Sequence, residues 1–173
     1  ELEDFLNALS KPHCCPAFHL AAKVGNADVI RILLDYGMDV NKNAQYSYMR
    51  ALDVAAFEGH IAVVEVLAAH PQTHINQVIN REGATTLLYA ASQGHADVVL
   101  LLLNLGANPD LKNAEGKTAL TIAQQCLAKT SGGWMTGFLD AKAMHYEAVV
   151  NVFKLWNQKE LSNKPEPIDD GSD

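Results

Sequence analysis

Apolar and small residues along the chain are grouped into pairs of short helical stretches, and one pair is especially clear. Thr85 is placed to cap a helix over residues 87–92, whose packing side carries two alanines. Gly94 interrupts that helix, and a second, almost wholly apolar helix is predicted over residues 97–104. Gly106 then suits a left-handed C-terminal cap. The pattern predicts a helix–turn–helix unit that follows a polar hairpin.

The same pattern recurs at a nearly fixed spacing along the chain. Four segments are equivalent: 19–22, 53–56, 88–91 and 121–124. Their period of about 33 residues is typical of a solenoid, in which each unit buries its apolar face only by stacking on its neighbours.

The residues at the repeated positions closely resemble the ankyrin-repeat pattern, over residues 16–156. The segments that carry the resemblance are Phe18-His19-Leu20-Ala21-Ala22, Gly59-His60, Gly94-His95, Gly106-Ala107-Asn108 and Met38-Asp39-Val40-Asn41. The resemblance implies an all-α fold, namely an ankyrin-repeat solenoid of helix–turn–helix units joined by β-hairpin-like loops.

On this pattern the chain divides into six parts. At the N-terminus, Leu2, Phe5, Leu6 and Leu9 form the stripe of an amphipathic helix, which is interpreted as a cap on the stack. The predicted parts are a capping helix, 1–11; repeat 1, 16–49; repeat 2, 50–84; repeat 3, 85–117; repeat 4, 118–158, with an insertion at 126–143; and a disordered acidic tail, 159–173.

The second helix of each repeat is expected to bury its apolar residues. In repeat 3 the apolar residues of this helix surround the axis, which predicts burial on all sides. In repeat 2, Pro71 stops the helix where a glycine is usual, so the following turn should be longer and less regular. The residues expected to be buried are Val29, Ile30, Ile32, Leu33 and Leu34; Ile61, Val63, Val64, Val66 and Leu67; 98–103; and Val149, Val150, Val152, Phe153 and Trp156.

The fourth repeat is interrupted. When Gln124 is aligned with Ala91 and Val149 with Val98, positions 125–148 stand where repeat 3 has only positions 92–97. The excess is the insertion at 126–143. Within it, positions 129–134 are predicted to form a loop, and positions 139–144 to extend the following helix backwards.

Part of the insertion is too apolar for a solvated linker. The apolar residues are Trp134, Met135, Phe138 and Leu139. They are expected to fold over the fourth repeat and shield Leu120, Ile122 and Leu127; the alternative is that they present a second contact surface.

The charge distribution excludes some classes of partner. The chain of 173 residues carries a net charge of −7, but both ends are acidic and residues 5–158 carry only −1. Without a basic stripe, nucleic-acid binding is not expected. Three cysteines favour a reducing compartment, and no apolar run could cross a bilayer. We therefore expect a cytoplasmic monomer, with the nucleus or a host cytosol as alternatives. Because the chain does not begin with Met, it is interpreted as a processed form or an excerpt.

The sequence holds no residue set suited to catalysis or metal binding. His13, Cys14, Cys15 and His19 lie close together, but adjacent thiolates are awkward on one tetrahedral ion and no spaced second pair exists. The family resemblance gives His19 a structural role. The repeated His60 and His95 are interpreted as bonding the backbone at the turn between paired helices. Neither enzymatic activity nor a cofactor is expected.

The resemblance implies instead that the chain binds another protein or peptide on its concave face, through hairpin tips and first helices. The tip at 45–50, with Phe57 beside it, is rich in residue types found at binding hot spots; the alternative is that Tyr48 only packs on the neighbouring hairpin. The candidate partner-binding residues are Tyr46, Ser47, Tyr48, Met49, Arg50, Phe57, Glu58, Arg81, Glu82, Ser92, Gln93, Glu115, Lys117 and Trp134. A regulatory or spacer segment of a larger protein is the alternative function.

Asn41 is a candidate modification site. Leu33 lies eight residues before it, Asp39 two before and Val40 directly before, which looks like the site that asparaginyl hydroxylases favour in ankyrin repeats. The alternative is that Asn41 simply bonds the hairpin backbone, as Asn commonly does in turns.

Overall fold

The computed structural model describes residues 15–44, 48–131 and 141–163. Within them the chain forms helices that follow one another in pairs. They are α1 (Cys15–Val24), α2 (Ala27–Asp35), α3 (Ala51–Glu58), α4 (Ile61–Ala68), α5 (Thr86–Gln93), α6 (Ala96–Asn104), α7 (Ala119–Ser131) and α8 (Ala141–Asn163).

The helix pairs stack in chain order. The inner helices α1, α3, α5 and α7 form one layer and the outer helices α2, α4, α6 and α8 a second, with contacts along each layer and within each pair. The predicted all-α solenoid is confirmed. The described part of the loop between repeats 1 and 2 is hairpin-like, with an isolated antiparallel bridge between Asn43 and Arg50.

Local capping sets the helix ends as the sequence predicts. The hydroxyl of Thr85 accepts the backbone N–H of Leu88 at 3.4 Å, which begins α5. Gly94 ends α5 in the left-handed conformation, with φ of 83°. The exit from α4 is irregular, as Pro71 predicts: the hydroxyl of Thr73 donates to the carbonyl of Leu67, and the N–H of Thr73 donates to the carbonyl of His70.

Small residues on the inner helices and larger ones on the outer helices make the core. Alanine pairs on α1, α3 and α5 are buried and let neighbouring inner helices approach closely. The outer helices fill the space with these fully or nearly buried residues: Ile30, Leu33, Val63, Val64, Leu67, Val98, Val99, Leu102, Leu103, Val149, Val150 and Phe153.

Four of the burial predictions are wrong. Val29 is 37% exposed, Ile32 52%, Ile61 46% and Leu100 44%. At Leu100 the reason is that an outer helix contacts its own inner helix and its outer neighbours, so its remaining side faces solvent even where the sequence is apolar throughout. Val29 differs, because its equivalents Val63 and Val98 are 0% and 1% exposed; it lies on α2, and no described outer helix precedes α2.

The insertion and the tail are more helical than the sequence predicts. Residues 129–131, expected in a loop, continue α7, and the hydroxyl of Thr130 donates to the carbonyl of Leu127 at 2.9 Å. Residues 159–163, expected to be disordered, continue α8, where Lys159 lies over the Trp156 ring at 5.8 Å. The backward extension of α8 begins at Ala141, within the predicted segment 139–144.

Three predictions fall outside the described residues. They are the capping helix at 1–11, the cover that Trp134 and its neighbours would form, and the disorder of residues 164–173. These stay predictions.

Candidate functional site

An aromatic pair lies across the two central inner helices. The rings of Phe57 on α3 and Tyr89 on α5 meet edge to face, with centroids 6.1 Å apart and an interplanar angle of 77°. Phe57 is 37% exposed, and Tyr89 is half-buried. The Tyr89 hydroxyl lies 3.4 Å from the side-chain amide of Asn80, which donates to it. The pair presents apolar area from side chains that are already held in place.

The pKa of Tyr89 is raised above its ordinary value by burial first, and then by the carboxylates of Asp53 and Glu82. The hydroxyl therefore stays protonated at neutral pH and can donate a hydrogen bond. The sequence-based reasoning missed Tyr89, because this position holds aliphatic residues in the other repeats, Leu20, Val54 and Ile122. The sequence did carry one signal, namely an aromatic residue at a repeat position where the other repeats have an aliphatic residue.

Arg50 is not a surface residue, and its assignment to the partner-binding set is wrong. Its side chain is 1% exposed and forms a bidentate ion pair with Asp53, with both N–O distances at 2.9 Å. The guanidinium also donates to the carbonyl of His74 at 2.7 Å, to the side chain of Gln77 at 3.2 Å and to the hydroxyl of Thr86 at 3.1 Å. Arg50 therefore ties repeat 2 to the irregular loop and to repeat 3.

Of the rest of the predicted tip, the structure describes only Tyr48 and Met49. Tyr46 and Ser47 are outside the described residues, so the structure does not place them. Tyr48 is 67% exposed, which leaves most of its surface free for contact. Met49 is half-buried, and its carbonyl lies 3.1 Å from Nε2 of His19. Within the described part of the tip, Met49 is therefore bonded to His19, while Tyr48 is exposed to solvent.

The tips before repeats 3 and 4 touch each other. The N–H of Ala114 donates to the carbonyl of Glu82 at 2.8 Å, and the side chains of Arg81 and Glu82 are exposed. Lys117 pairs with Glu115 and lowers the pKa of that carboxyl. Because surface ion pairs contribute little to stability, this exposed pair does little to hold the tip in place.

The remaining predicted contact residues that the structure describes lie at the ends of the inner helices. Glu58 and Gln93 are exposed, and Ser92 is half-buried with its hydroxyl donating to the carbonyl of Tyr89 at 2.8 Å. In repeat 1, Leu20 and Val24 are 60% and 63% exposed. Trp134 lies outside the described residues. The inner-helix side of the stack therefore combines exposed apolar residues, Leu20, Val24 and Phe57, with polar residues at the helix ends.

The repeated histidines bond backbone, as predicted, but not at their own turn. Nε2 of His60 lies 2.8 Å from the carbonyl of Lys23, and Nε2 of His95 lies 3.0 Å from the carbonyl of Phe57. Because a carbonyl only accepts, Nε2 carries the proton in both. Each histidine thus bonds the preceding repeat. His19 is buried and has a structural position, as predicted.

Asn41 also joins two repeats. Its amide nitrogen donates to the carbonyl of Gln72 at 2.6 Å, and its amide oxygen accepts the N–H of His74 at 3.1 Å. Asn76 repeats this arrangement with Gly106 and Asn108, at 3.1 and 2.7 Å. The alternative interpretation of Asn41, a bond to the backbone, is therefore what the structure contains, with the next repeat's turn as the partner.

The described residues contain neither a metal-binding cluster nor a helix suited to a membrane. No group of three or more His, Cys, Asp or Glu side chains in them could hold a metal ion. None of the helices in the same residues combines the length and apolar composition that a bilayer span requires.

Comparison with known protein families identifies the type of repeat. Two family models match, ankyrin repeats in three copies over residues 3–79 and ankyrin repeats in many copies over residues 72–123. Together the matches run from residue 3 to residue 123 of the chain.

Known proteins with similar sequences carry the same repeats. The ankyrin repeat protein YahD of Escherichia coli (strain K12) is 31% identical over 65% of this chain and 57% of its own length. The ankyrin repeat and SOCS box protein 3 of Homo sapiens is 33% identical over 61% of this chain and 20% of its own length. The NAD-capped RNA hydrolase NUDT12 of Homo sapiens is 30% identical over 58% and 23%. The chain thus spans between about a fifth and just over half of these relatives, and it belongs to the ankyrin-repeat family.

Proposed function

We propose that the chain is a non-catalytic interaction module that binds a partner protein or peptide on the concave, inner-helix face. The observation that carries the proposal is the aromatic pair of Phe57 and Tyr89, which joins two adjacent inner helices at the surface. Ankyrin repeats are in general protein–protein interaction modules, and stacking brings their equivalent positions side by side.

The aromatic pair is a suitable centre for a contact surface. Binding energy concentrates in aromatic residues that are rigid before the partner arrives, since little side-chain entropy is then lost. Phe57 packs on Tyr89, and the Tyr89 hydroxyl meets Asn80. Leu20 and Val24, 60% and 63% exposed, extend the apolar surface towards repeat 1.

The charges at the candidate positions nearly balance. With Arg50 neutralised by Asp53 in the interior, two positive and three negative side chains remain among the described candidate positions: Arg81, Lys117, Glu58, Glu82 and Glu115. This balance favours a partner segment that is recognised by apolar area and hydrogen bonds over one selected by net charge.

The binding proposal is tested with a partner captured from the natural cell and then purified. Replacing both Phe57 and Tyr48 with alanine is expected to weaken binding at least tenfold, because truncating a hot-spot aromatic removes about 2 kcal/mol or more. Titration calorimetry measures the change in Kd, and circular dichroism checks the fold. Leu100→Ala on the outer helix α6 is the control, since Leu100 is 44% exposed on the opposite side. If the folded double variant binds the partner with unchanged affinity, the contact surface lies elsewhere on the protein.

A second candidate function is that the repeats are a regulatory or spacer segment of a larger protein. NUDT12 favours it, because this relative is named as a hydrolase and the similar region covers only 23% of its length. Intact-mass analysis of the natural protein distinguishes the two candidates. A natural product close in mass to the present chain supports the self-contained module, and a much heavier product supports the segment.

Asn41 hydroxylation remains a prediction, with Asn76 as an internal control. Both side chains bond the next repeat's turn in the same way, but Asn76 has Ala68 eight residues before it and His74 two before it. After co-expression with an asparaginyl hydroxylase, peptide mass spectrometry is expected to find an added oxygen on Asn41 and none on Asn76. Equal modification of both, or none on Asn41, would contradict the sequence preference.

A further inference from the structure

The histidines that join the first three repeats follow one geometric rule. Each imidazole donates to the carbonyl two residues before the glycine that ends the preceding inner helix: His60 to Lys23 at 2.8 Å and His95 to Phe57 at 3.0 Å. Each ring also lies against that glycine. A Cβ on Gly25 would be 2.7 Å from the His60 ring, and one on Gly59 would be 2.6 Å from the His95 ring.

The boundary between repeats 3 and 4 keeps this geometry with a different residue. The equivalent carbonyl belongs to Ser92, and it accepts the hydroxyl of Tyr146 at 2.9 Å. The equivalent glycine is Gly94, where a Cβ would be 3.0 Å from Cβ of His145 and 3.5 Å from the Tyr146 ring. Tyr146 also precedes Val149 by three residues, as His95 precedes the equivalent Val98. Both chain register and contacts therefore put Tyr146 in the place of the histidine.

The change from histidine to tyrosine has a geometric reason. His60 and His95 are N-cap residues outside their helices, with ψ of 79° and 81°. Tyr146 instead lies inside α8, which begins at Ala141. A helical side chain leaves the backbone in a different direction and is tilted towards the N-terminus. The longer tyrosine side chain still reaches the carbonyl from this starting point.

We propose that Tyr146 is a latch that holds α8 on the third repeat, at the repeat position that His60 and His95 occupy in the second and third repeats. The latch holds α8 in register although its connection to α7 is longer than in the other repeats. It also fixes the carbonyl of Ser92 at the end of α5. The proposal concerns the fold and stands independently of the proposed binding function.

The surroundings of Tyr146 keep its hydroxyl in the donor form. Burial, the first cause, and contact with the Cys126 thiol raise the pKa of Tyr146 above its ordinary value of 10.0. The hydroxyl is therefore protonated at neutral pH, and the latch does not open by titration there.

The test is Tyr146→Phe in the full chain, which removes the hydroxyl and keeps the ring. Hydrogen exchange with mass spectrometry is expected to show amides of α8 exchanging about five- to tenfold faster, the change expected from losing one hydrogen bond. Helices α3 and α4 should stay within twofold of the unmodified protein. Two variants are controls: Tyr89→Phe, whose hydroxyl contacts Asn80 and not α8, and Cys126→Ala, which removes the thiol that contacts Tyr146 and keeps the bond to Ser92. Both should stay within twofold in α8.

Two results would overturn the latch. One is exchange of α8 in Tyr146→Phe within twofold of the unmodified protein, or no faster than in Tyr89→Phe. The other is equal acceleration in every helix, which would mean a general loss of stability without local release of α8. Because phenylalanine preserves the packing on Gly94, a failure to fold is not expected to obscure either result.

Discussion

Replacing Arg50 with methionine is expected to lower the free energy of unfolding by about 3–5 kcal/mol, the usual loss when one partner of a buried ion pair is removed. Asp53 would keep its burial, at 0% exposure, and lose both bonds that the guanidinium donates to its carboxylate. Methionine fills much of the volume, so the loss comes mainly from the stranded carboxylate. Urea denaturation followed by circular dichroism measures it.

The effect of Arg50→Met should also spread along the stack. The guanidinium donates to His74 and Gln77 in the loop and to Thr86 in repeat 3, so the loop at 70–80 loses its anchor with the charge. Hydrogen exchange is expected to speed up in this loop before it does in α7. The spread follows from bonds that cross a repeat boundary, because a stack is stabilised by its nearest-neighbour interfaces.

A double variant separates charge from packing. With Arg50→Met and Asp53→Leu together, no charge is stranded, and more than half of the lost stability is expected to return, because apolar residues of similar volume often replace a buried ion pair without loss. If Arg50→Met alone costs less than about 1 kcal/mol, the pair has little energetic weight, well below the usual range. If the double variant recovers nothing, the effect is carried by the loop contacts or by the Thr86 hydroxyl and the Arg50 backbone N–H, which both lose Asp53 as their acceptor.

Local signals were sufficient to predict most of the helices. Thr85 and Gly94 act through bonds within one turn, so the sequence alone determined both ends of α5. The repeat period placed the alanine pairs on the packing side of the inner helices, and they are buried there. Leu100 was misplaced, since which apolar residue faces solvent depends on neighbouring helices and not on the residue itself.

The candidate site was harder to predict, because its contacts are distant in sequence. Arg50 lies in a tip rich in surface-type residues, yet its partners His74 and Thr86 follow it by 24 and 36 residues. The one local signal was Asp53, an acidic residue three positions after Arg50, at the repeat position that His19 occupies in repeat 1. The insertion obscured the equivalence of Tyr146 and His95 in the sequence. Aligning Val98 with Val149 nevertheless puts the two residues at the same repeat position.

Gly83→Ala is expected to lower the free energy of unfolding by about 2–4 kcal/mol, and Gly116→Ala, at the equivalent position of the next tip, by about 1 kcal/mol. Both glycines have positive φ, 72° and 74°, so backbone strain is matched between the variants. A Cβ on Gly83 would lie 2.9 Å from the backbone N of Ala114 and 2.9 Å from Cα of Asn113, whereas nothing lies within 4 Å of one on Gly116.

The difference between the two glycine variants isolates the contact between the tips. The clashing atoms are backbone, so a Cβ on Gly83 cannot be accommodated by a side-chain rotation, and the loop that carries Ala114 has to move. That movement breaks the 2.8 Å bond from Ala114 to the carbonyl of Glu82, which sets the spacing of two predicted contact tips. Denaturant unfolding of both variants, measured under the same conditions, gives the comparison. Equal losses would mean that the close approach of the tips contributes nothing to stability, and that Glu82 and Glu115 are positioned by their own hairpins alone.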